Sequence, residues 1–132
     1  MKDLRLYEAE ENDCWATALG NYFNISPKKI PSKCHHPNNK SNYIDETRKW
    51  LSKKKKGIIY VPLNCFLYTT GENSDNKYNK KIYPDGKCIV ALLSTDGSGH
   101  ACLMIDGTLY QKDDGKYDVI LGYFIIYDLN SK

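Results

Sequence analysis

Cys14 and His100 are the residues whose type and setting could do chemistry together. Cys14 follows Asn12 and Asp13 and precedes an apolar stripe made by Trp15, Ala18, Leu19, Tyr22 and Phe23. That spacing is helical. Asn12 and Asp13 offer N-cap oxygens, which places Cys14 in the first turn. Free amides and the dipole at a helix N-terminus stabilise a thiolate, and the same amides can hold an oxyanion formed on an acyl group attached to the sulfur. The competing fate is a small buried hydrophobe, common for free cysteine.

His100 stands in GSGHACLMID, between a Gly/Ser turn and an apolar strand, where an imidazole can act as general base. Gly97 and Gly99 beside it permit close approach. The competing fate is a structural histidine. A base needs a group that orients its second nitrogen. Asp106 lies six residues on, roughly 20 Å along a strand, and reads as a turn residue before Gly107. Asp128 ends the apolar run YFIIYDLN; if that strand returns towards the start of the His100 strand, Asp128 can orient the imidazole, with Asn130 as a substitute.

The elements that must position these groups can be read from pattern. A helix is expected over 13–23, stopped by Asn24 with Pro27 beyond. Residues 26–42, with Pro27, Pro31 and Pro37, read as loop. A second helix is expected from about Asn42 to Lys54, with Ile44, Thr47, Trp50 and Leu51 on one face and Gly57 as terminator. Strands are expected over 57–68 (interrupted at Pro62), 88–94, 100–105, 108–112 and 119–129, with a polar loop over 71–81. Asp106-Gly107 and Asp114-Gly115 are hairpin signals, so the late strands should be antiparallel. Helices followed by an antiparallel sheet make an α+β class, as one domain over 1–132.

The strings NDCWATAL, GHACLMIDG and FIIYDLN, in this order, resemble the three active-site segments of papain-like cysteine peptidases. The likeness is closest in style to small bacterial members: leader peptidases that mature bacteriocins, and effector proteases injected into hosts. It runs from Tyr7 to Asp128. It implies a papain-like fold, N-terminal helices packed on an antiparallel sheet, and a Cys14-His100-Asp128 triad that cleaves a peptide or isopeptide bond through a thioester. The partner implied is a protein or peptide substrate, and no cofactor is called for. The family's oxyanion Gln falls six residues before the Cys, where this chain has Glu8. A carboxylate repels an oxyanion unless protonated, so Asn12 or the Cys14 amide would share or replace that role. Asp128 is followed by Leu129 rather than the family's frequent Pro.

Composition narrows the alternatives. The 132 residues carry 19 basic and 16 acidic side chains, a balance that does not point to nucleic acid. The run Lys53 to Lys56 reads as a solvated helix end. The N-terminus MKDLRLYEAEEND has acids where a signal peptide is apolar, and no stretch is long enough for a membrane span. The expectation is therefore a cytoplasmic protein, or one delivered to another cell without a cleavable signal. Five scattered cysteines fit free thiols; Cys65, Cys88 and Cys102 lie in apolar strands and read as core. Cys34-His35-His36 could ligate zinc, but no second pair supplies the remaining ligands. A deamidase or acyl transferase could use the same apparatus, and Glu8 favours a non-catalytic papain-like binding module.

Overall fold

The computed structural model describes residues 13–63, 83–94, 99–110 and 117–129. Helix α1 spans Cys14–Phe23 and α2 spans Tyr43–Lys53. Five strands follow: β1 Lys56–Pro62, β2 Lys87–Ser94, β3 Gly99–Ile105, β4 Thr108–Tyr110 and β5 Tyr117–Asp128. They form one antiparallel sheet in the order β1-β5-β2-β3-β4. The expected α+β class is present. None of the described helices is long and apolar enough to cross a membrane.

Helix α1 packs on β3 and β2 and is buried nearly all round, Ala16, Thr17, Gly20 and Asn21 included. The stripe read from sequence is its most apolar side: Trp15, Ala18 and Leu19 are buried, with Tyr22 and Phe23 packed against the same cluster. Leu51 of α2, Ile58 of β1, Ile89 of β2 and Ile126 of β5 complete that core. The opposite sheet face gathers Cys88, Val90, Leu92, Cys102, Met104 and Tyr123. This alternation along β2 and β5 is the period-two pattern of a sheet buried on both faces. Cys88 and Cys102 are thus core residues as read, and Cys65 lies outside the described residues.

The two helices are joined by a buried bond. Trp15 Nε1 donates to Thr47 Oγ1 at 3.0 Å, and that hydroxyl donates to the Tyr43 carbonyl at 2.8 Å. Both polar hydrogens are satisfied without water, which lets Trp15 sit in the core. Asn24 stops α1 in the left-handed conformation, as its side chain permits.

Two readings need correction. Gly57 does not terminate α2; that role falls to Lys54 and to Lys55 at φ 62°, while Gly57 lies inside β1 beneath the ring of Tyr127. The Lys53 to Lys56 run accordingly turns the chain from helix to strand. Residues 26–42 are not irregular but hold three short 3₁₀ turns, Pro27–Lys29, Ser32–Cys34 and His36–Asn38. The first expected strand breaks at Pro62 as read, where the missing N–H ends a ladder; residues 64–68 of that expectation and the 71–81 loop lie outside the described residues. Asp106 and Gly107 make the expected two-residue turn, both with positive φ, between the paired Ile105 and Thr108.

Candidate active site

The N-terminus of α1 abuts the start of β3. The backbone N–H of Ala101 donates to Cys14 Sγ at 3.3 Å. Cys14 and His100, the residue before Ala101, line one pocket of about 510 Å³. Trp15, His36, Tyr43, Tyr60, Leu121 and Phe124 supply most of its wall. The wall is built from stacked rings: Trp15 meets Tyr43 and Phe124 edge-on at 5.8 and 4.8 Å, and Tyr60 tilts over Phe124 at 4.8 Å. Such rigid aromatic packing gives the pocket a fixed shape.

The electrostatics fit a sulfur in a sheltered place. Burial pushes the Tyr43 hydroxyl above its ordinary pKa, and the nearby Cys14 adds to that shift. Burial does the same to Tyr60. Both phenols line the pocket, and the upward shift keeps them in the neutral form.

Asp13 is the N-cap of α1, yet its side chain makes no capping bond. Its carboxylate turns to His35 instead, Oδ2 to Nδ1 at 2.7 Å. Its backbone carbonyl holds the helix start by accepting from Thr17 N–H at 3.2 Å and Thr17 Oγ1 at 2.9 Å. The amides of the first turn are consequently not claimed by the Asp13 carboxylate.

Asp128 does not join the site. Strands β3 and β5 both run antiparallel to β2, so they run parallel to each other. Leu92 pairs with His100 on one side and Ile120 on the other. Asp128 is eight residues beyond Ile120, roughly 26 Å along the strand. It pairs there with Lys56, Nζ to Oδ1 at 2.7 Å, with its own side chain 80% exposed. The strand reaches the end of the His100 strand rather than its beginning, which removes Asp128 as orienter. Glu8, Asn12 and Asn130 lie outside the described residues.

The side chains of the Cys34-His35-His36 triplet do not converge on one point. Cys34 is buried against the α1–α2 core, His35 bonds Asp13, and His36 faces the pocket. Among the described residues no three metal-ligating side chains cluster. His36 is a pocket residue that the sequence reading did not single out for the site: its ring meets Tyr43 edge-on at 4.8 Å, a tertiary contact that no local pattern announces.

The chain matches no known protein family, no curated protein and no solved structure.

Proposed function

We propose that the protein is a cysteine hydrolase of papain-like type that cleaves a peptide or isopeptide bond, with Cys14 as nucleophile and His100 as base. The observation that carries this reading is that one pocket is lined by both residues, with the sulfur at a helix N-terminus and in contact with the amide next to His100.

The chemistry follows from that placement. His100 takes the Cys14 proton, and the thiolate attacks the carbonyl carbon. The first-turn amides of α1 stabilise the oxyanion. Collapse expels the amine, which takes the proton back from the imidazolium. Water, deprotonated by His100, then releases the acyl group from the thioester. An amine in place of water would make the same centre a transferase, and a glutamine side chain as substrate would make it a deamidase.

Alkylation tests the reading. Iodoacetamide, followed by intact-mass and peptide analysis, should modify Cys14 well below about pH 8, ahead of Cys34, and His100→Ala should remove that advantage. Labelling of Cys14 no faster than Cys34 would leave the pocket as a binding site without a nucleophile.

A further inference from the structure

Asp13 and His35 sit directly before two pocket residues, Cys14 and His36. Their side chains meet at 2.7 Å, and His35 Nε2 lies 3.0 Å from the Ile30 carbonyl. That carbonyl can only accept, so Nε2 carries a hydrogen. A single proton then lies between Nδ1 and Asp13 Oδ2. Both side chains are largely withdrawn from water, 14% and 15% exposed, so the bond is shielded from competition. The Asp13 backbone is pinned to α1 through Thr17, and the His36 ring packs on Tyr43 of α2.

We infer that Asp13 and His35 form a positioning strap that sets the distance between Cys14 and His36 across the pocket. One bond fixes the residue preceding each wall, so its loss lets the 3₁₀ segment drift from the helix start. Asp13 acts by shape here, not by capping, which accounts for a helix-initiating aspartate that leaves its own helix amides alone. The consequence for reactivity rests on Cys14 being the nucleophile; the strap itself does not.

Two readouts separate these. In ¹⁵N-labelled protein, Asp13→Ala should move the backbone and ring signals of His36, which is distant in sequence. Asp13→Asn should leave them near their original positions, because the amide NH₂ donates to a neutral Nδ1 while Nε2–H keeps the Ile30 bond. With an epoxysuccinyl peptide, which must fill the pocket, Asp13→Ala and His35→Ala should slow modification of Cys14 by about tenfold or more. Small iodoacetamide should keep its rate–pH midpoint in both, and Asp13→Asn should restore the peptide rate. The double change Asp13→Leu with His35→Phe fills the same volume without a buried charge and serves where an alanine variant does not fold. Unmoved His36 signals in Asp13→Ala, or an Asp13→Asn protein as impaired as Asp13→Ala, would overturn the strap. An unmodified protein inert to both reagents at Cys14 would instead remove the hydrolase reading and leave the strap to the His36 signals.

Discussion

Lys56 and Asp128 face each other across the β1–β5 ladder, at the opposite end of the sheet from the sulfur of Cys14. The pair closes the turn between α2 and β1 against the end of β5, where Leu129 N–H also bonds the Lys55 carbonyl. Its role is thus at the sheet margin, and the bond to Asp128 is the main reason the Lys56 ammonium is held above its ordinary pKa. Asp128→Ala should leave the iodoacetamide rate of Cys14 unchanged over the whole pH range. A loss as large as that from His100→Ala would show that the carboxylate reaches the imidazole after all.

Much of this layout was legible in the chain. The stripe from Trp15 to Phe23 and the turn residues Asp106 and Gly107 are local signals, and local signals survive folding. Cys14 and His100 were readable for the same reason, each by its place at the head of an element. Asp128 was misjudged because strand direction is a property of the whole sheet: inserting β5 between β1 and β2 reverses which end of it meets His100. What the sequence did not show is where His35 and His36 go: extended His35 separates two 3₁₀ turns, so Cys34, His35 and His36 make three separate tertiary contacts.

Burial makes the alkaline limit of stability a sheet-core property. The Cys88 thiol is pushed up to about 12 from an ordinary 9.0. Between those values the unfolded chain loses a proton that the folded chain keeps. The folded state therefore binds more protons, and stability falls as pH rises from about 9 towards 12. Burial shifts Cys34 and Tyr123 the same way. Urea midpoints measured across that range should decline, and Cys88→Ala should flatten the decline while lowering the midpoint at neutral pH through the lost contacts of the buried sulfur.

Gly122 is where two strands crowd. A methyl group there would lie 2.7 Å from the Val61 carbonyl oxygen and against the hydroxyl of Tyr60. The carbonyl belongs to the β1 ladder and cannot retreat without breaking it, whereas Tyr60 can swing only by leaving Phe124. Gly122→Ala should cost about 1–3 kcal/mol of stability by chemical denaturation. Because Tyr60 and Phe124 wall the pocket, it should also slow the epoxysuccinyl peptide more than iodoacetamide.

Thr47 is worth more than its size. Thr47→Val preserves the shape but removes the acceptor for Trp15 Nε1–H in the core. An orphaned buried donor costs about 1–3 kcal/mol, so the urea midpoint should drop with the slope unchanged. A stability equal to that of the unmodified protein would mean that the indole finds another acceptor.

Two histidines share the pocket with Cys14, and they should fail differently. His100 adjoins the amide that contacts the sulfur, so His100→Ala should raise the pH at which iodoacetamide reacts, towards the ordinary thiol range near about 8.5. His36 packs edge-on against Tyr43 and forms wall, so His36→Ala should leave that pH midpoint in place and slow only the reagent that fills the pocket. If the midpoint instead moves with His36 and not with His100, the base has been assigned to the wrong side of the pocket. The thiolate would then be paired across the 3₁₀ segment, and the late strand would serve only to present the Ala101 amide.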